Sequence, residues 1–230
     1  MSALWSGTNN FPGLEQIGRA FYELLANGVL WRYSIASLFR VTAGFYLAVA
    51  AAVPLGLFLG RRGFINGWAN PVIQFLRPIS PLAWIPFALV WFGIGDRPAL
   101  FIIFLASFFP LLISTIKASS TVPPMYFQVA ANLQFGLWET LFYVILPATL
   151  PQIILALRVA LGIAWMVVVA AEMIAVKSGL GYLIIDGRNA LRLDYVIVAM
   201  LTIGTIGLAL DYIMVQLERI QSVRWRFEQK

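Results

Sequence analysis

The chain has 230 residues, of which 61% are hydrophobic and only 11% charged, with a formal net charge of +6. Soluble domains usually carry about 25% charged residues, so too few polar side chains remain to cover a globular surface in water, and lipid is the solvent this composition fits. Cys and His are both absent, which excludes disulfides, thiol nucleophiles, haem attachment, His-based acid–base chemistry and the usual zinc sites. The Lys and Arg residues lie in short segments between apolar runs rather than on one basic face, which argues against nucleic acid as a partner.

In chain order, the first ten residues are polar and lack a basic region ahead of an apolar core, so no cleavable signal is expected. Residues 1–33 read as an N-terminal amphipathic segment. Leu14, Ile17, Phe21, Leu24 and Leu25 recur at helical spacing, with Glu15, Arg19 and Glu23 between them, as in a helix lying at an interface. Five runs then approach the roughly 20 apolar residues needed to cross a hydrocarbon core, at 41–60, 78–95, 98–116, 148–174 and 195–217. Backbone groups in lipid must be satisfied within their own segment, so all five are expected to be helices. The second carries Pro78, Pro81 and Pro86, and so should start irregularly or kink. The fourth is interrupted by Arg158 and Glu172, and the fifth carries Asp211 near its end. Residues 218–230 form a polar tail.

The connection at 117–147 is too polar in its first half to span, being interrupted by Ser119, Ser120, Thr121, Gln128, Asn132 and Gln134. Pro123 and Pro124 suit a helix start, and the spacing predicts a short helix to Gln134 that stops near Gly136. A second short helix with the stripe Trp138, Leu141, Phe142 and Ile145 is expected to run to Leu146 and stop at Pro147. Two short helices with a bend between them suit docking into a groove on another protein.

This segment resembles the cytoplasmic "EAA" loop of binding-protein-dependent ABC importer permeases. The family pattern is Glu-Ala-Ala, three residues, Gly, nine residues, then Ile-x-Leu-Pro. Gln128 stands at the Glu position, Val129 and Ala130 at the two Ala positions, and Gln134 at the Gly, while Val144, Leu146 and Pro147 complete the pattern. The stretches 77–86, 91–95, 157–165, 170–173 and 179–182 are similar to the nitrate/sulfonate/taurine/bicarbonate branch. The resemblance implies an all-α polytopic fold of the type I ABC importer permease kind, with a membrane domain over 34–217 and a coupling loop at 117–147. Many relatives have six spans, and the expectation here is a five-helix core without the first. It further implies an N-terminus outside and a C-terminus inside. Inner segments (61–77, 117–147 and 218–230) would then hold eight Lys or Arg and outer ones (1–33, 93–98 and 177–194) six, in line with the positive-inside rule.

The same resemblance implies the partners: a second, identical permease subunit, two cytoplasmic ABC ATPase subunits and an extracytoplasmic solute-binding protein, all at a bacterial inner membrane. No G-x-x-x-x-G-K-[ST] run occurs, so no cofactor is expected in this chain, and ATP and Mg belong to the partner ATPase. The chain is accordingly read as a transport subunit rather than an enzyme. Candidate ATPase-coupling residues are Tyr126, Phe127, Gln128, Val129, Ala130, Gln134, Phe135, Gly136, Trp138 and Phe142, with Phe127, Phe135, Trp138 and Phe142 as aromatic anchors. Arg158, Trp165 and Glu172 recur every seven residues, with Gly162 and Val169 on the same face. Charges in a bilayer should face protein or water. That face, together with Pro81, Trp84 and Pro86 on the broken second span, is the candidate translocation path or dimer interface, with headgroup anchoring of the two charges as the alternative. A small anion is the expected solute, with Arg158 as the deep basic candidate. Asp96, Arg97, Lys177, Asp186, Arg188, Arg192 and Asp194 are candidate contacts for the binding protein.

The rival function is an ATP-independent secondary transporter or channel, which often shows an internal inverted repeat; none is evident here. An intramembrane enzyme would need paired catalytic groups at depth, and a purely structural subunit leaves the docking-type loop unexplained.

Overall fold

The computed structural model describes residues 12–61 and 69–218. Residues 1–11, 62–68 and 219–230 lie outside the described residues, and with them go the start of the N-terminal segment, part of the first inter-span connection and nearly all of the tail. Among the described residues all regular structure is helical. The amphipathic stretch is α1 (Leu14–Ala26), which buries Ala20 and Leu24. It is followed almost at once by α2 (Val29–Arg61), which therefore starts well before the span read from hydropathy at 41–60. The extra turns carry Ser34, Ser37 and Arg40, all buried.

The second predicted span is not one continuous helix. After α3 (Ala69–Leu76) the chain passes through a 3-10 turn at Pro81–Trp84 into α4 (Ile85–Phe92). Three prolines explain the break: Pro81 opens the turn and Pro86 sits in the first turn of α4, where a missing N–H costs nothing. The helical piece Pro81–Phe92 is shorter than the four helices long enough to cross a membrane. The latter comprise α2, α5 (Asp96–Ser120), α10 (Leu193–Glu218) and the continuous run Leu137–Ala175. That run consists of the single turn α7 (Leu137–Glu139), a π-helical segment at Thr140–Ile145 and α8 (Leu146–Ala175). A separate second short helix stopping at Pro147 is thus replaced by a lead-in to α8. The π-helical turns lie just before Pro147, whose ring and missing N–H disturb the carbonyl one turn back. Two short helices complete the chain, α6 (Pro124–Asn132) and α9 (Leu180–Asn189).

The core is built on α2, α5 and α8. Along α2, Gly44, Ala48, Ala52, Gly56 and Gly60 recur every four residues, a stripe that lets two backbones approach. A Cβ on Gly56 would lie 2.6 Å from Cβ of Thr115, and one on Gly60 would lie 2.5 Å from Cβ of Ser119. Thus α2 packs directly on α5, and α8 packs on both. At one end of the bundle α4 closes over Ala99, Ile102, Ala171 and Ala175. At the other, Leu57, Ile145 and Ile153 meet Phe127 and Leu141. The helix α10 packs on α9, α1 and α8 but leaves most of its length open. Glu23 of α1 is tied to the α9–α10 turn by Arg192, 3.2 Å away. Hydrogen bonds from Tyr195 and Arg192 hold the Glu23 carboxyl below its ordinary pKa.

Candidate functional site

Two ends of the bundle carry distinct chemistry. At the first, α6 stops in a Schellman arrangement: Gln134 N–H donates to Ala131 O (3.0 Å) and Phe135 N–H to Ala130 O (3.0 Å). Gln134 has φ 56°, a left-handed conformation that favours glycine. The stop is therefore at Gln134 and not at Gly136, which has extended backbone and opens the next turn. Gly136 N–H donates to Glu139 Oε2 (2.6 Å), and its carbonyl accepts from Thr140 Oγ1 (2.9 Å). Around this bend Met125, Tyr126, Val129, Leu133, Trp138, Phe142 and Tyr143 are exposed, with Trp138 at 70%. Trp138 stacks on Phe142 with centroids 6.4 Å apart. Gln128 and Gly136 are also exposed. Phe127 and Ala130 instead turn into the chain's own core, and Phe135 lies against Tyr143. Phe127 is an internal anchor of the bend, not a free one.

At the far end, Glu172 is fully buried. Its Oε1 accepts from Arg40 Nη1 (2.7 Å) and its Oε2 from Gly181 N–H (2.9 Å), while Ser37 Oγ lies 2.8 Å from each oxygen. Ser37 Oγ also accepts from Leu180 N–H (2.9 Å). The carboxylate therefore sits on the N-terminus of α9, where backbone donors and the helix dipole favour negative charge. Arg40 continues the network to Asp96 Oδ1 (2.8 Å from Nε), in the first turn of α5, and to the Ser178 carbonyl (2.8 Å from Nη1). Gly179 and Gly181 are required here: Gly179 has φ 105° and a Cβ on it would collide with the Glu172 carboxylate, while one on Gly181 would collide with the Val169 carbonyl.

The chain matches the sequence profile described as "binding-protein-dependent transport system inner membrane component" over residues 52–223. It belongs to this family. A protein of Methanocaldococcus jannaschii assigned as an ABC transporter permease is 45% identical over 82% of this chain and 71% of its own length. The taurine transport system permease protein TauC of Escherichia coli is 33% identical over 84% of this chain and 70% of its own. The bicarbonate transport system permease protein CmpB of Synechococcus elongatus is 37% identical over 91% and 73%. In fold, the chain resembles one from the MetNI methionine ABC transporter solved in inward-facing conformations, with TM-score 0.66 at 15% identity, covering 82% of this chain and 96% of that one. The chain is thus an inner-membrane ABC permease with the expected all-helical fold.

The seven-residue face of α8 in this permease is mostly turned toward the chain's own helices α2, α9 and α10. Arg158 makes a two-pronged ion pair with Asp211 of α10 (2.7 and 3.0 Å). Trp165 is buried and donates from Nε1 to the Ile203 carbonyl of α10 (3.1 Å). Val169 packs against the main core, and Glu172 is enclosed as described. Gly162 alone on that face opens outward. A charge paired with a neighbouring helix meets the same constraint as one facing water. Of the second-span candidates, Pro81 lines a cavity, Trp84 packs against the α4 cluster, and Pro86 is exposed. Among the candidate binding-protein contacts, Asp96 and Asp194 are engaged with Arg40 and Arg192. Arg40 and Ser37 escaped sequence reasoning because hydropathy starts the first span at 41; an Arg abutting an apolar run opposite an intramembrane Glu was the available signal.

Proposed function

We propose that this permease forms the membrane pathway of an ATP-driven importer for a small anion, working as two identical copies with two ATPase subunits and an extracytoplasmic binding protein. The observation that carries the reading is the exposed apolar surface around the Gln134 bend. Met125, Val129, Leu133, Trp138 and Phe142 project from α6 and α7 and the π segment at one end of the bundle. Large aromatic side chains left open in this way supply the anchors of protein–protein grooves. The partner would be the ATPase, since the chain has no P-loop of its own. The names of the taurine and bicarbonate relatives support an anionic or zwitterionic solute class.

The test is purification of the tagged chain from its host membranes in mild detergent with identification of what accompanies it. A P-loop ATPase is expected, and the pair Trp138→Ala and Phe142→Ala should remove it, each truncation costing about 2 kcal/mol of association, roughly 30-fold. Solute uptake that persists in ATP-depleted vesicles, with no ATPase recovered, would replace the reading with a secondary carrier.

A further inference from the structure

Along the side of α5 that faces α3 and α8 runs an open trough of three adjoining cavities, of about 510, 420 and 310 Å³. The first two share Arg77 and Ile113, and the second and third share Pro110 and Ser114. Lys117 and Gln152 line the third. Arg77 lies level with Ile113, so Lys117, four residues further along α5, is displaced by about 6 Å toward the end that carries the bend. Ser114 lies between the two bases, and all three side chains are exposed.

The charges in this trough differ from the other basic groups inside the bundle. Arg40 is matched by Glu172 and Asp96, and Arg158 by Asp211. Neither the Arg77 guanidinium nor the Lys117 ammonium has a carboxylate partner among the described residues, and no Asp or Glu lines any of the three cavities. Two unmatched cations flanking a hydroxyl in a concave wall of low polarity concentrate negative charge. A guanidinium presents a planar fork that fits two oxygens of a carboxylate, nitrate or sulfonate group.

We infer that this trough is a binding station for a small oxyanion, held by Arg77 and Lys117 with Ser114 between them, near the end at which the ATPase would dock. The inference deepens the importer reading and rests on it for the identity of the solute's route. It also moves the anion-attracting role from Arg158, which Asp211 neutralises, to two residues that sequence reasoning had left as loop-end charges.

The chain has no native cysteine, so Ser114→Cys provides a unique reporter in inside-out vesicles or liposomes. Its modification rates by an anionic and a cationic methanethiosulfonate are measured relative to Asn132→Cys, an exposed position on α6 away from the trough. The anionic reagent should be favoured by about ten-fold, and the preference should fall to near unity when Arg77→Gln and Lys117→Gln are added. Arg77→Lys with Lys117→Arg should keep it. In phosphatidylcholine liposomes, nitrate, bicarbonate or taurine should slow the anionic reagent at Ser114→Cys and not at Asn132→Cys. Equal reagent preference at both positions overturns the inference. So does protection that appears only on adding phosphatidylglycerol, which would make the trough a lipid headgroup site. None of these readouts requires the ATPase, so their failure is distinguishable from failure of the importer reading.

Discussion

Arg40 joins two carboxylates, Glu172 near the end of α8, whose side chain is seated on the N-terminus of α9, and Asp96 in the first turn of α5. The two are not equivalent: Glu172 is fully enclosed, whereas the Asp96 side chain is 57% exposed. Removing Arg40 strands a buried charge, while removing the Glu172 charge leaves Arg40 still paired with Asp96. Arg40→Met should therefore cost about 3–5 kcal/mol, and Glu172→Gln, which keeps the shape and part of the hydrogen bonding, about 1–3 kcal/mol. Thermal unfolding of the two variants in detergent checks the ranking, and a larger loss for Glu172→Gln would contradict the geometry. At this scale the sequence was only half legible. An acid inside an apolar run marks itself, but its partner lies 132 residues away, and no local pattern links the two. For the same reason Arg158 looked solitary until α10 brought Asp211 beside it.

Element boundaries show where local chemistry was readable and where it was overridden. The bend after α6 falls at the position where the family pattern has Gly, and the structure explains why, since Gln134 is left-handed there. A matching stop ends α9: Leu191 has φ 57°, Leu191 N–H donates to Arg188 O (3.1 Å), and Arg192 N–H donates to Gly187 O (2.8 Å). Neither residue is suited to that conformation, which costs an L-residue roughly 1–2 kcal/mol more than glycine. Gln134→Gly and Leu191→Gly should each stabilise the protein by about 1 kcal/mol, less the added freedom of the unfolded chain. A raised unfolding midpoint in both variants is the expected result, and a fall in either would mean that its side chain makes contacts worth more than the strain. Sequence reading placed the α6 stop near Gly136 because glycine is the usual signal; here glycine instead opens the following turn. The prolines were read more simply. Three of them break the second span into a 3-10 turn and a short helix, so an apolar run of adequate length does not become a full-length helix.

At the scale of the whole molecule, the run Leu137–Ala175 connects the two ends. Its 39 residues extend about 58 Å as a helix, nearly twice the roughly 30 Å of a hydrocarbon core. One end carries the exposed Trp138 and Phe142, and the other carries Glu172 fastened to α2 and α9. A push delivered at the bend therefore has a direct mechanical route along α8, provided the π-helical segment Thr140–Ile145 stays ordered. That segment is the weakest link, since π turns are strained and often mark functional sites in helices. Val144→Gly should soften it by about 0.5 kcal/mol while leaving the exposed side chains of the bend and the Trp138–Phe142 stack in place. The variant is expected to insert and to retain its ATPase on purification, while uptake of the solute delivered by the binding protein falls at least ten-fold and ATP hydrolysis continues. Uptake at the unmodified rate would show that motion reaches the far end by another route, through α5. Loss of the ATPase itself would show that the π segment shapes the docking surface instead of transmitting force from it.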